Sequence, residues 1–229
     1  MTTEQDRADR TRIPRPLQGL RLEHTGWPGH TTSFNQIEGF AKDATKTYDA
    51  GSNVVVQDGK RDGRIRVMAA FANEVRAQET HYYRIETPYK YDPQAVYPDG
   101  PDKGKPMYRS MLSFPYSVVF MGVRELNKKW TEIDKDQKDF NPYGPTWDEW
   151  VYRFDFFFLT ELGEEYVNAF KADIVQDVLG IRYKYALPTI VSLAGRMQQS
   201  EKYGPVAEYD SLRETLASSF SVVSLGRAA

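Results

Sequence analysis

The clearest alternation of polar and apolar residues lies between positions 53 and 68. Val54-Val55-Val56 is a β-branched run, and polar and apolar side chains alternate from Arg64 to Met68. Two Asp-Gly pairs, at 58–59 and 62–63, stand between these segments and supply positions that adopt positive φ. The pattern predicts a β-hairpin with a basic tip.

The middle of the chain continues this pattern with further short strands. His81–Thr87 is typical of a strand, and Met107–Val123 predicts strands broken at Pro115. Between them, residues 88–106 form a long segment rich in Tyr, Pro, Asp and Gly, and loops of this length usually serve binding or assembly. Residues 127–139 are charged and are interpreted as a linker. Together these segments predict an antiparallel sheet in the N-terminal and middle part.

The C-terminal third has the spacing of helices. Thr146 to Glu149 is a capping box, and apolar residues recur at helical intervals from there to Leu162. Further helices are predicted over 164–179, closed by Gly180, from Pro188 through Met197, and from Asp210 or Ser211 onwards. The predicted fold class is therefore α+β, with a β-hairpin and antiparallel sheet followed by a helical C-terminal third.

Residues 1–39 show no sustained period and carry several Pro and Gly residues, so they are interpreted as an extended N-terminal arm before a single domain at 40–229. The arm has too few apolar side chains to offset the entropy of ordering it alone, so we expect it to lie on another subunit. Assembly or polyanion contacts are predicted at Arg10, Arg12, Arg15, Leu17, Leu20, Arg21 and Trp27 in the arm, Lys60 and Arg61 at the hairpin tip, and Tyr89, Tyr91 and Tyr97 in the long loop.

Charge and composition narrow the function classes. With 30 Lys and Arg against 32 Asp and Glu, the net charge of −2 gives no general attraction to nucleic acid or anionic lipid. No apolar run approaches the ~20 residues that a membrane span needs, and the N-terminus lacks the apolar core of a secretory signal. We therefore expect cytoplasmic synthesis without processing.

The usual anchors of catalysis are missing from the sequence. There is no Cys, and the three His residues have no helical i,i+4 partner, so no metal site is expected. The segment that begins at Asp134 lacks the glycine and the final Glu of a calcium loop. Neither glycine-rich phosphate motif nor a Gly-x-Ser-x-Gly elbow is present. We predict no catalytic residue, no cofactor and no enzymatic activity, with His81, Glu79 and Asp155 interpreted as structural.

The function hypothesis follows from the arm, the long loop and an excess of Tyr, which has 15 copies and suits interfaces. It is a non-enzymatic structural subunit of a large assembly, best matched by a viral or phage particle protein that is incorporated in a virion. Its expected partners are other protein subunits, in a homo- or hetero-oligomer, with nucleic acid as a further partner through the arm. The alternatives are an accessory subunit of a large cellular complex, for example an organellar one, a nucleic-acid-binding module that uses the Arg-rich arm, and an enzyme with an unfamiliar site.

Overall fold

The computed structural model describes residues 13–27, 32–83, 103, 111–139, 146–163, 169–194 and 207–225. Within these ranges the α-helices are α1 (Thr32–Lys42), α2 (Ala44–Asp49), α3 (Arg61–Arg76), α4 (Val123–Asp139), α5 (Trp147–Tyr152), α6 (Ala169–Lys184) and α7 (Ala207–Ser219). The strands are β1 (Val54–Gln57), β2 (Glu79–Tyr83), β3 (Met111–Pro115), β4 (Val118–Gly122), β5 (Phe156–Leu162), β6 (Thr189–Leu193) and β7 (Ser221–Ser224). Two 3-10 turns, Arg15–Leu17 and Leu22–His24, precede α1.

Five of the strands form one parallel sheet in the order β4-β5-β6-β1-β7. Val55 of β1 lies opposite Val191 on one side and Val222 on the other. The antiparallel pairing of β2 with β3 is a separate two-stranded sheet. The predicted α+β class with an antiparallel sheet and a helical C-terminal third is therefore wrong. The fold is α/β, with a five-stranded parallel sheet.

Helices cover both faces of the parallel sheet. Val55, Phe157 and Val191 belong to a core cluster with side chains of α4, α5, α6 and α7. Val54 and Phe158 belong to a second cluster, with α1 and α3. Parallel strands buried on both faces have continuous apolar sequences without alternation. This explains why the aromatic run at the start of β5 was mistaken for the continuation of a helix.

The predicted hairpin is wrong, because β1 is followed by helix α3 and not by a second strand. The first strand is present as β1, and Asp58 and Gly59 adopt positive φ values of 62° and 73°. The turn leads into a helix, however, because buried side chains after it recur at intervals of three and four residues. These are Arg64, Val67, Met68, Phe71 and Val75. The alternation of polar and apolar residues up to Met68 is too short to distinguish the period of a strand from that of a helix.

The C-terminal third contains strands as well as helices. The capping box is confirmed, since Thr146 Oγ1 accepts from the Glu149 N–H at 3.2 Å and Glu149 accepts from the Thr146 N–H at 2.7 Å. The helix ends at Tyr152, and β5 follows it. The helix predicted from Pro188 is instead strand β6, α6 continues through Gly180, and the predicted linker at 127–139 lies within α4.

Residues 13–27 pack on their own domain, which differs from the expectation that the arm is held only by another subunit. Ile13 and Leu22 are buried in the cluster that contains α3. Asn73 of α3 donates from Nδ2 to the carbonyl oxygens of Leu17, at 2.8 Å, and Leu20, at 3.1 Å. Helix α1 also begins at Thr32, within the segment predicted to be extended. Contact of this segment with another subunit stays a prediction.

A buried arginine organises the amino edge of the sheet. The guanidinium of Arg182 is inaccessible to solvent and donates to Thr189 Oγ1 and to four backbone carbonyl oxygens, which belong to Val151, Phe154, Asp155 and Pro188. Burial lowers the pKa of Arg182 to about 9, which leaves the side chain charged at neutral pH. The hydrogen bonds join α6 to the segments that precede β5 and β6.

None of the helices in the described ranges has both the length and the apolar character to cross a bilayer.

Candidate functional site

The strongest candidate site lies at the carboxyl edge of the parallel sheet. Parallel strands end at the same edge, and open α/β sheets bind their ligands there. Here β1 ends at Gln57, and the three residues 58–60 connect it to α3. The ends of β4, β5 and β7 lie at the same edge.

The loop after β1 is held from two sides. Arg64 is buried, with 4% of its surface exposed, and its Nη1 donates to the carbonyl oxygens of Asp58, at 3.2 Å, and Gly59, at 2.6 Å. On the other side, Ser224 Oγ at the end of β7 donates to Asp58 Oδ2. The N–H of Leu225 donates to Gln57 O at 2.9 Å. The loop is thus connected to both α3 and β7.

An ion pair spans the site. Arg61, in the first turn of α3, pairs with Glu161 at the end of β5. Glu161 has a φ of 67°, in the left-handed region, and it lies where the pairing of β5 with β6 shifts register between Leu159 and Leu162. Non-glycine residues in this region are uncommon and cluster at functional sites.

A glycine in β4 makes room for the Glu161 carboxylate. A Cβ on Gly122 would stand 2.6 Å from Glu161 Oε2. The neighbouring Thr160 donates from its hydroxyl to Met121 O at 3.2 Å. The end of β5 therefore places the Glu161 carboxylate opposite the loop after β1, and at the end of β4 the Glu125 carboxylate accepts from the Gly122 N–H at 3.1 Å.

The arrangement of strand, loop and helix is that of a phosphate-binding loop, but the residue types differ. The motif Gly-x-x-x-x-Gly-Lys-Ser/Thr, placed on 58–65, has its second glycine at Gly63. Asp58 stands at the first glycine, Arg64 at the lysine and Ile65 at the hydroxyl residue that would bind magnesium. In the described ranges no three His, Asp or Glu side chains are grouped so as to hold a metal ion.

Sequence motifs alone do not reveal this site. Only one of its four specified positions is retained, so the sequence has no phosphate motif to find. The signal that remained was a β-branched strand followed by Gly59 and Gly63 and then a helix. That signal becomes informative only once β1 is known to lie inside a parallel sheet.

Some residues predicted as contacts lie at this site and others do not. Lys60 and Arg61 are exposed at the carboxyl edge, at the start of α3 and not at a hairpin tip. Arg15, Leu17, Leu20, Arg21 and Trp27 belong to the N-terminal segment that packs on α3 and α1. Within it, Arg21 pairs with Glu74 at 2.9 Å. Arg10, Arg12, Tyr89, Tyr91 and Tyr97 lie outside the described residues.

Comparison with known proteins supports the α/β class. Neither a family model nor a curated protein matches the sequence. Among solved structures, the chain is similar to DnaI, with a TM-score of 0.57, 16% identity and coverage of 92% of this chain and 93% of that one. It is also similar to the DnaC helicase loader, with a TM-score of 0.55, 12% identity and coverage of 92% and 98%.

A third similar structure is the replication initiator DnaA bound to AMPPCP and single-stranded DNA. Its TM-score is 0.54 at 11% identity, and the match covers 90% of this chain and 49% of that one. The chain therefore spans about half the length of the initiator structure.

These similarities correct the first function hypothesis. The fold is shared with replication initiators and helicase loaders, so the expected viral or phage structural subunit, incorporated in a virion, is wrong. The broader expectation of protein partners, with nucleic acid as a further partner, agrees with these neighbours. The expectation of no enzymatic activity stays a prediction, and one of the similar structures holds AMPPCP.

Proposed function

We propose that this chain is a subunit of a DNA-replication assembly, of the helicase-loader kind, that acts through protein and DNA contacts without magnesium-dependent ATP hydrolysis. The observation that carries the proposal is the extent of the match. The similarity covers more than nine tenths of both chains for DnaC and DnaI, but only half of the initiator. The extent of these matches supports a fold shared with the DnaC and DnaI structures over most of the chain.

The residues at the carboxyl edge support the absence of hydrolysis. P-loop ATPases hold Mg²⁺ through the Ser or Thr of the loop and an Asp on a neighbouring strand. The Ile65 side chain has no oxygen to offer as a ligand. The Glu161 carboxylate lies at the end of β5, and its charge is paired with Arg61.

The basic side chain at the lysine position is also engaged. Arg64 is buried and donates to two carbonyl oxygens of the loop, whereas a P-loop lysine reaches the β- and γ-phosphates. Binding of a triphosphate would require Arg64 to leave both of these acceptors. The expected role of this edge is to hold the start of α3 in place.

ATP turnover is the first test. Purified full-length chain, with Mg²⁺ and ATP, in the presence and absence of single-stranded DNA, should release no phosphate above a protein-free blank. A triple variant with Asp58→Gly, Arg64→Lys and Ile65→Thr rebuilds the loop motif. Its affinity for nucleotide is compared with that of the natural chain. Turnover by the natural chain that is abolished in Glu161→Gln would contradict the proposal.

Association with a helicase is the second test. The chain should form a complex with the replicative helicase of the organism that encodes it. Light scattering coupled to size exclusion measures the mass of this complex. Separate elution of the two proteins, together with no binding of single-stranded or duplex DNA, would overturn the proposed function.

A further inference from the structure

A group of exposed tyrosines lies at the edge of the sheet opposite the loop after β1. Among the described residues, the exposed large apolar side chains are Tyr152 at 38%, Tyr183 at 70%, Tyr185 at 43% and Val222 at 40%. Each tyrosine lies at the end of a helix that precedes a strand of the sheet. Tyr152 is the last residue of α5, before β5, and Tyr183 and Tyr185 lie beside the last residue of α6, before β6. We call these three residues the tyrosine edge.

The tyrosine edge is built on fixed backbone. The rings of Tyr152 and Tyr185 are in contact, with centroids 4.8 Å apart and planes inclined by 46°. The buried Arg182 donates to Val151 O at 3.1 Å, next to Tyr152, and to Pro188 O at 2.6 Å. Both segments that carry the tyrosines are therefore tied to one guanidinium, which limits the entropy lost when a ligand binds.

Two basic side chains, Lys184 and Arg153, flank the tyrosine edge. Lys184 is exposed, and its Nζ lies 5.4 Å from the centroid of the Tyr185 ring. Arg153 follows Tyr152, and its guanidinium lies 4.9 Å from the Phe154 ring. Acidic residues adjoin the same two segments, since Glu149 is exposed on α5, Asp177 lies on α6, and the buried Asp155 accepts from the Ser117 N–H. The ends of α5 and α6 carry the negative ends of the helix dipoles, so the cations also offset an unfavourable field for an anion.

Aromatic rings interleaved with cations suit one class of ligand. Proteins that bind single strands stack successive bases on aromatic side chains and neutralise the phosphates with Lys and Arg. Lys is depleted in protein interfaces, and here Lys184 lies beside the Tyr185 ring. We propose that the tyrosine edge, with Lys184 and Arg153, binds single-stranded DNA by base stacking. The inference rests on the proposed replication function and names its DNA-binding surface.

The test is the affinity of the full-length chain for a fluorescein-labelled oligo-dT of about 20 nucleotides, measured by anisotropy. Each stacked base is worth about 1–3 kcal/mol by alanine substitution, so Tyr152→Ala with Tyr185→Ala should weaken binding at least about tenfold. The corresponding pair of Phe substitutions should keep the affinity within about threefold, because a phenyl ring also stacks. Val222→Ala is the control, since it truncates an apolar side chain of similar exposure on β7.

The remaining variants separate the possible outcomes. Tyr183→Ala alters the most exposed ring and keeps the test valid if the double variant fails to fold. Lys184→Ala should reduce the salt dependence of binding by about one counterion. Unchanged affinity of the Ala variants, or lack of rescue by Phe, would overturn the inference. So would Ala variants that retain DNA affinity and lose only the helicase, since the edge would then be a protein contact.

Failure of this inference is distinct from failure of the proposed function. A chain that binds its helicase but no single strand loses the tyrosine edge as a DNA surface and keeps the loader function. A chain that binds the strand through these tyrosines but no helicase keeps the surface and loses the loader function.

Discussion

Arg61 and Glu161 are 100 residues apart in the chain and form an ion pair that joins the first turn of α3 to the end of β5. Their side chains are 56% and 21% exposed, so the pair contributes little to stability, on the order of 1 kcal/mol or less. Its importance is positional, because it holds the Glu161 carboxylate against the loop after β1. The strained backbone of Glu161 shows where the fold accommodates this arrangement.

The backbone of Glu161 can be tested with two substitutions that both remove the carboxylate. Glu161→Gly should be more stable than Glu161→Ala by about 1 kcal/mol, because a φ of 67° is unfavourable for a residue with a Cβ. Urea unfolding of the two variants measures the difference. Equal stability, or a more stable Ala variant, would mean that the backbone at position 161 leaves its positive φ at no cost in free energy.

Removal of Arg182 should be among the most destabilising single changes in the chain. Arg182→Ala leaves several buried carbonyl oxygens without a donor and should lower the free energy of unfolding by about 3–5 kcal/mol. Arg182→Lys should recover less than half of this loss, since an ammonium cannot reach acceptors on both sides of a guanidinium fork. Lys184→Ala, two residues along the helix and exposed, should change stability by less than about 0.5 kcal/mol. A mild effect of Arg182→Ala would show that water or a rearranged backbone satisfies these carbonyls.

Tyr48 should make stability depend on alkaline pH. Burial, with the nearby Asp155 charge as a smaller cause, raises the pKa of Tyr48 to about 12, whereas an unfolded Tyr titrates near 10. Between pH 10 and 12 the folded state therefore binds the proton more tightly, and stability falls as the pH rises. Tyr48→Phe has no such proton, so the wild-type protein should lose stability relative to this variant across that window. Denaturation curves measured at pH 9, 10, 11 and 12 make the comparison, and parallel pH profiles would contradict it.

Asn73 should control how firmly residues 13–27 dock on α3. Asn73→Asp preserves the size of the side chain but removes both donors to Leu17 O and Leu20 O, so it should lower stability by about 1–2 kcal/mol. Limited proteolysis should then cut this segment faster than in the wild-type protein. Asn35→Asp, which alters an exposed amide on α1, is the control. Unchanged proteolysis would mean that the buried side chains of Ile13 and Leu22 hold the segment without Asn73.

Several local features were predictable because they depend on neighbouring residues alone. The capping box at Thr146 and Glu149 needs only four consecutive residues, and it forms as expected. The Asp58-Gly59 pair adopts the positive φ values that such pairs favour, and the run Val54–Val56 lies in a strand. These preferences arise from backbone sterics and from hydrogen bonds within one turn, so distant parts of the chain hardly change them.

The identity of the next element was not local. After Gly59 the chain enters a helix because Val67 and Phe71 reach a sheet surface made partly by β5, which lies far along the sequence. The aromatic run of β5 is a strand because helices cover both of its faces, whereas an isolated apolar run fits either period. Short apolar segments therefore carry too little information to distinguish a buried strand from a buried helix.

The sequence by itself determined the Asp58-Gly59 turn, the helix start at Thr146 and the lack of cysteine chemistry. The tertiary structure alone decided the parallel sheet and both candidate surfaces. The ion pair of Arg61 with Glu161 and the ring contact of Tyr152 with Tyr185 join segments that are distant in sequence. The order of the strands brings these segments together. That order depends on which apolar faces bury one another across the whole domain, and no window of neighbouring residues contains it.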